Sequence, residues 1–464
     1  MRNFKNFDER VSYYRREMMR YAPAPGRPAI SSKPAVMPPA VNSQKLERLG
    51  NDTDPCAMAG VPERFAQLHR GLLPRRVLFG KGVGVFGTFT ANGAASDWTS
   101  AGFLRAETRT KVLVRFSLMS GTEGSADSIR DFRGFAVKFY TPQGNCDLIC
   151  ESLMVFWLRN MKHLPELAMA LVPPQEECGR KRERFWKLVS ENQEMLPATT
   201  LLYSDLGTQK SYRTMDAWSI LPQLWTAPNG SRRYVRCHWK AKETASPVNQ
   251  EEALLLSGVD PNAAVRDLQE AVREGNFPKY ELFAQALPEG CTEIDPMDLT
   301  AAWPEAVAPW KKIGELLLDQ NPVDSFEQVE RAAFHPGHVV PGIGLPEDQA
   351  VLELCTCCSE AQRYRLGPDY HNIPINRQQT GGEGNLPAHS TGSMKSSAPL
   401  SAPDDLGQAR QFWESFDMVD RRHLAQNMAL ELKYIDQGLC KKILGLLERV
   451  APEYREEVEK ALSE

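Results

Sequence analysis

Two stretches, Lys111–Ser117 (KVLVRFS) and Gly134–Tyr140 (GFAVKFY), limit the folds open to this chain more than any other feature. In the second, Phe135, Val137 and Phe139 point one way while Lys138 and Tyr140 point the other, the period of two that a half-buried strand needs. Val83–Thr90 and Tyr234–Lys240 have the same texture, and from Arg75 onward Gly, Asp and Asn fill the gaps between such runs. Several strands with turn-rich gaps imply an antiparallel barrel or sandwich. The longest apolar run, Leu153–Leu158, suits a further buried strand. Helical patterns interrupt this layout at 180–197 and 261–275, which makes the class α+β. A chain of 464 residues has room for one large core with appendages.

The flanks read differently. Residues 1–55 are basic-aromatic and then rich in Pro, Ala and Ser, a composition that cannot bury a core and marks an arm. From about 300 to 350 the chain is Pro-rich and extended (AAWPEAVAPW, NPVDSF, HPGHVVPGIGLPED), a wrapping segment that leads into a helix. Gly381–Pro403 lacks large apolar residues and reads as an exposed loop. Beyond it, Leu439, Ile443, Leu446, Leu447 and Val450 form one helical stripe, stopped by Pro452, and Leu424, Met428 and Leu432 form another. The divisions are thus 1–58 for the arm, 59–310 for the barrel, 311–403 for the wrapping segment, helix and loop, and 404–464 for a helical layer.

Charge excludes some functions. A net charge of -4 and a pI near 6.2 argue against general affinity for nucleic acid or anionic membranes. No apolar run approaches the ~18 residues of a membrane span. The first thirty residues contain no apolar core of a signal peptide, and Leu462-Ser463-Glu464 is not a peroxisomal tripeptide. Ten cysteines are too few for a disulfide scaffold, so free thiols and an intracellular location are expected.

The candidate chemistry gathers in Gln349–Tyr370 (QAVLELCTCCSEAQRYRLGPDY). On a helix, Leu354, Cys355, Cys358, Gln362 and Arg365 share one face, and Cys358 and Arg365 lie two turns apart, about 10.5 Å. Gly367-Pro368 ends the helix. A thiol and a guanidinium so placed suit the two ends of a flat anionic cofactor. Packing, haem ligation and a zinc or redox cluster with Cys355 and Cys357 all remain open for Cys358, although zinc lacks a second Cys/His pair at finger spacing. Gly82–Gly87 satisfies G-x-G-x-x-G, yet Phe86–Thr90 continues as a strand, so no helix N-terminus meets a pyrophosphate there. The eight histidines form no H-x-x-x-H pair and no G-x-S-x-G accompanies them; His335-Pro336-Gly337-His338 reads as turn chemistry.

Arg115–Ser117, Gly124–Asp131 (GSADSIRD) and Arg133–Tyr140 (RGFAVKFY) together resemble the catalase family signature. Arg76–Gly82 (RVLFGKG) resembles the family's distal R-V-V-H-A-K-G. Asn321–Val323 and Pro341–Ile343 resemble its wrapping segment, Arg365–Tyr370 (RLGPDY) the end of its proximal helix, and Ala451–Tyr454 its helical tail. The likeness runs from about 62 to 462 in order. It implies an eight-stranded antiparallel barrel with haem b beside it, an N-terminal arm, a wrapping loop, a C-terminal helical layer and a homo-oligomer, tetramer or dimer.

The resemblance also assigns roles. Arg76, Arg115 and Arg365 fall on the family's propionate-binding arginines, and Ser117 and Phe156 on pocket positions. The residues that do chemistry differ: Phe79 stands for the distal histidine, Glu151 for the distal asparagine, Cys358 for the proximal tyrosine ligand and Leu354 for the arginine four residues before it. The family's NADPH surface is mostly absent apart from Trp303, so NADPH is not expected. Peroxide cleavage needs a group that moves a proton between the two oxygens; Phe79 cannot, while Glu151 can. A cysteine thiolate is a competent haem ligand. The expectation is a haem oxidoreductase of peroxidase type acting on hydrogen peroxide or an organic hydroperoxide, with dismutation impaired. The other reading is a catalytically silent member of the fold that serves as a scaffold.

Overall fold

The computed structural model describes residues 73–159, 161–172, 180–244, 247–377 and 404–464; the arm at 1–58 and the Gly381–Pro403 loop lie outside them. One antiparallel sheet closes on itself. Its strands are β1 (Gly82–Ala91), β2 (Arg109–Leu118), β3 (Arg133–Thr141), β4 (Gly144–Glu151), β5 (Ala217–Ser219), β6 (Gln223–Thr226), β7 (Arg232–Ala241), β8 (Lys279–Pro288), β9 (Lys311–Gln320) and β10 (Ile343–Gly344). The first four pair in sequence, β9 joins β1, and β8 closes the ring between β7 and β9. Both β5 and β6 pair with β7, at its opposite ends, and behave as one interrupted strand. The barrel is therefore eight-stranded, with β10 hung on β6.

Alternation decides which side chains go inside. Phe116, Phe135, Val137 and Phe139 lie within the barrel with Trp239 and Tyr280, Phe116 and Phe135 with ring centres 4.8 Å apart and Phe135 stacked on Trp239 at 5.8 Å. Lys138 and Arg115 point out on the same strands, onto the face that carries the candidate site. The G-x-G-x-x-G run lies inside β1 as the alternation requires, and its first glycine serves packing: a Cβ on Gly82 would sit 2.6 Å from the Arg115 guanidinium.

Two expectations need correction. Leu153–Leu158 is not a strand; it runs irregularly between barrel and helices, with Trp157 and Leu158 fully buried. The Phe156 N–H goes to Leu299 O at 2.8 Å rather than to a neighbouring strand, so one long-range bond replaces a ladder. Burial, which an apolar run does report, does not by itself specify a strand. Lys311–Gln320, placed in the wrapping segment, is barrel strand β9. Ladder irregularities at Phe86/Gly87 and Leu282/Phe283, in the two strands flanking β9, go with its uneven alternation, and prolines on both sides mask it. The barrel thus extends past 310.

Helices α1 (Leu164–Leu171), α2 (Lys181–Glu191) and α3 (Leu196–Tyr203) lie between β4 and β5 in sequence, and α4 (Gln250–Val259) and α5 (Ala263–Arg273) between β7 and β8. The C-terminal layer is α7 (Asp405–Ser415), α8 (Met418–Leu432), α9 (Gln437–Val450) and α10 (Pro452–Ser463). Both stripes read from the tail pack into one core with α2 and α3, all of their residues buried except Leu439, which is partly covered at its edge. Pro452 ends α9 and opens α10, where its missing N–H is harmless. Between barrel and tail runs α6 (Gln349–Leu366), capped by the Asp348 carboxylate accepting from the Ala350 N–H at 2.8 Å and ended by Gly367 at φ 89°.

Candidate functional site

Strand register builds the site's floor. Across β2, β3 and β4, Ser117, Gly134 and Glu151 stand side by side, and one step along so do Arg115, Ala136 and Ile149. On the other flank Gly82 faces Ser117 and Gly84 faces Arg115. Small residues thus leave a flat floor on the outer barrel face, from which Arg115, Ser117, Ile149 and Glu151 project. Phe79 lies on it: a Cβ at Gly134 would be 2.7 Å from Ser117 Oγ and 3.0 Å from the Phe79 ring. Phe79 also has φ 59°, a left-handed backbone that is rare for a bulky residue. It is held there by its N–H to Met119 O at 2.9 Å and by Arg115 Nη1 donating to its carbonyl at 3.0 Å.

Glu151, at the end of β4, is 2% exposed and neither carboxyl oxygen has a hydrogen-bond partner. Burial, reinforced by the nearby Asp131 charge, pushes its carboxyl up to about 8. At neutral pH it is largely a neutral acid that holds a proton. Phe156 follows five residues later, buried beside it against Leu299.

The three arginines do converge. Arg76 donates to Glu330 Oε2 at 2.7 Å and to the Glu330 carbonyl at 3.1 Å; Arg365 reaches the same Oε2 at 3.0 Å; Arg115 stands 3.9 Å from Oε1. Glu330 ends a π-helical turn (Phe326–Glu330) and lies in a stretch that gives no sequence signal of this role. Burial alone would raise its pKa, but the charges of Arg76, Arg115 and Arg365 outweigh burial and hold it below the usual carboxylate range. Burial and then the Arg76 charge lower Arg115 to about 9, and the same two causes lower Arg365 to about 10, so both stay cationic at neutral pH. Among the described residues one carboxylate stands against three guanidiniums, which leaves two positive charges unmatched. Three buried nitrogens also have no partner: Nε of Arg115, and Nε and Nη1 of Arg365.

Two turns before Arg365 on α6, Cys358 is half-buried, as is Leu354 one turn earlier. Burial, then the neighbouring Cys355 and Cys357, pushes the Cys358 thiol up to about 12, so it stays protonated unless a metal takes the proton's place. Cys355 is buried and Cys357 exposed, so the three thiols point in different directions; among the described residues no group of three or more His, Cys, Asp or Glu side chains is arranged to hold a metal ion.

Comparisons with known proteins bear on this arrangement of barrel, arginine cradle and long helix. A family model described as Catalase matches residues 40–404, and a second, Catalase-related immune-responsive, matches 399–462. The chain belongs to the catalase family. A catalase from Methanosarcina barkeri is 37% identical over 319 residues, 68% of this chain and 63% of that protein. One from Alkalihalophilus pseudofirmus is 29% identical over 450 residues, 86% of this chain and 66% of that protein. The chain therefore matches slightly under two thirds of the length of these relatives. Catalase A from Saccharomyces cerevisiae superposes with a TM-score of 0.78 at 26% identity, covering 87% of this chain and 92% of that one.

Sequence reasoning missed two features of the catalase-family site. Glu330 as counter-ion to the cradle is one. The other is a buried cluster of Lys138, Asp147, His335 and His338 behind α6; the H-P-G-H run does turn, with the His338 N–H on His335 O at 3.0 Å, but both rings also sit in the core. Trp303 lines a cavity of about 380 Å³ on the outer barrel face, with Trp218, His238, Phe283 and Trp310 around it, and this cavity shares Met154, Trp218, Ser219 and Arg236 with the small pocket beside Glu151 and Phe156.

Proposed function

We propose that this catalase-family chain binds haem b and acts as an oxidoreductase on hydrogen peroxide or an organic hydroperoxide, with dismutation impaired. The observation that carries this reading is the cradle. Two unmatched positive charges and three orphaned buried nitrogens on Arg115 and Arg365 call for a dianion, and haem b carries two carboxylates. Half-covered apolar side chains, Leu78, Phe79, Ile149 and Leu354, pack at the edge of the adjoining core, as an apolar macrocycle requires. The residues present fit the group.

In this reading Arg76, Arg115 and Arg365 would hold the carboxylates, and Cys358 would be the residue that holds the iron. Bound haem would supply the redox chemistry that breaks the O–O bond. Glu151 holds a proton near neutral pH that a peroxide oxygen can take. Phe79 keeps water off the floor but neither accepts nor returns a proton, and a missing acid–base group costs about 10²–10⁴ in rate. Ser117 and Phe156 shape the pocket wall. The second reading, a catalytically silent scaffold, draws on Glu330: with an internal carboxylate already on all three arginines, the fold can close without a cofactor.

A visible spectrum of protein expressed with ample haem separates the two, since a preparation with no Soret band ends the first. With haem bound, a ferrous–CO band at the thiolate position is expected, and Cys358→Ala should abolish it. Oxygen release at a rate typical of the family would refute impaired dismutation. A homo-oligomer, tetramer or dimer, belongs to the proposal, supported by the exposed apolar side chains Val77 (66% exposed), Val323 (80%) and Tyr364 (80%); a monomer by light scattering would remove that part.

A further inference from the structure

A hydrogen-bonded chain, buried throughout, joins the barrel to the middle of α6. Lys138 and Asp147 are cross-strand partners on β3 and β4, with Nζ 2.8 Å from each carboxylate oxygen. Oδ2 of Asp147 also accepts from the His335 N–H at 2.9 Å and from His338 Nδ1 at 2.7 Å. This carboxylate is thereby surrounded by donors from three directions, which pins the His335–His338 turn against the strands. Burial would raise Asp147, but the Lys138 and His338 contacts prevail and keep it ionised.

The tautomer of His335 follows from its neighbours. The Gly337 N–H donates to His335 Nδ1 at 2.8 Å, so the ring proton resides on Nε2. Nε2 lies 2.9 Å from the Cys355 carbonyl oxygen and 2.9 Å from Ser359 Oγ. These acceptors stand three residues before and one residue after Cys358. The outer side of the same helix is open: Thr356, Cys357, Glu360, Ala361, Arg363 and Tyr364 are all exposed. Among the described residues nothing presses on α6 from outside there, and the contacts that set its rotation about its own axis come from the barrel side. The Asp348 cap and the Arg365–Glu330 pair hold the two ends, and His335 grips the turn between them.

We propose that His335 is a positioning residue: its Nε2–H, braced by Asp147, Lys138 and His338, fixes the rotation of α6 and thereby aims the Cys358 sulfur. The aim toward iron rests on the haem reading above; the aim of the sulfur itself does not. A helix rotated by a few tens of degrees carries a side-chain tip sideways by about 1 Å or more, given a Cα radius of about 2.3 Å, and displacements of that size are enough to spoil a ligand site.

The test compares His335→Gln, whose amide can donate to both acceptors, with His335→Leu, which cannot. The first readout is independent of haem: the rate at which iodoacetamide alkylates Cys358 in haem-free protein, followed by mass spectrometry with exposed Cys357 as internal reference. H335L is expected to change the Cys358/Cys357 rate ratio several-fold, H335Q to stay near wild type, and Ser359→Ala, which removes one acceptor and keeps the other, to fall between. The second readout is the ferrous–CO band of haem-loaded protein, expected to leave the thiolate position in H335L and to be kept in H335Q. If H335L does not fold, S359A against H335Q carries the comparison. Wild-type ratios in every variant that folds would overturn the proposal. A colourless wild type would overturn the haem reading alone, because the alkylation ratios still decide whether His335 aims the sulfur.

Discussion

Glu151→Gln probes the least usual group in the site, and its effect on stability has a defined shape with pH. Folding raises the Glu151 carboxyl from its ordinary 4.5 to about 8. A raised carboxyl penalises the native state wherever the unfolded chain can ionise and the folded one cannot. Below pH 4.5 both states are protonated and the penalty is absent. Between 4.5 and 8 the unfolded chain binds one proton fewer, so stability falls with pH at about 1.4 kcal/mol per unit. By pH 7 the accumulated penalty is about 3 kcal/mol, and it levels off above pH 8 at about 5 kcal/mol. Glutamine has the same shape, leaves its amide equally unpartnered and does not titrate. The stability difference between E151Q and wild type should therefore be pH-dependent, small near pH 4.5 and growing in favour of the variant toward pH 8. Urea unfolding of haem-free protein at four pH values measures it. A difference that stays flat across this range would show that Glu151 ionises normally, and the argument for a protonated acid on the floor would fail.

Gly134→Ala forces a methyl group between Ser117 Oγ and the Phe79 ring, and should destabilise by about 1–3 kcal/mol in the same unfolding assay; a neutral result would mean that Phe79 does not rest on Gly134. Lys138→Met leaves the fully buried Asp147 without its ammonium partner, and a loss of about 3–5 kcal/mol near neutral pH is expected. Because folding depresses the Asp147 pKa, its contribution is present above the unfolded value near 4 and disappears as pH falls through the folded one, so the K138M deficit should shrink in acid. Arg365→Leu removes a charged donor from the cradle, and haem titration should show affinity lower by roughly 10–100-fold; unchanged affinity would place the carboxylates elsewhere.

Much of this site was legible in one dimension, for identifiable reasons. Alternation in Lys111–Ser117 and Gly134–Tyr140 is local, so it revealed both strands and set Lys138 opposite Phe135, Val137 and Phe139, whereas Arg115 and Ser117 were picked out by the family resemblance. Helical spacing is also local, and it put Cys358 and Arg365 two turns apart on a helix whose stop at Gly367 is where glycine permits a positive φ. Lys311–Gln320 was hidden because bulges in its partner strands disturb the alternation, and those partners are distant in sequence. Leu153–Leu158 was misread because an apolar run reports burial and not backbone conformation.

Identity and order of residues alone determined strands with alternating faces in a barrel or sandwich and a helix with Cys358 and Arg365 two turns apart, since strand and helix periods depend only on neighbours along the backbone, and the family resemblance chose the barrel. Tertiary structure decided what those groups became. Glu330 meets Arg76 and Arg365 across separations of 254 and 35 residues, and Asp147 reaches His338 across 191. Charges and orphaned nitrogens acquire a sign and a strength only once folding removes water from around them, which no pattern along the chain records.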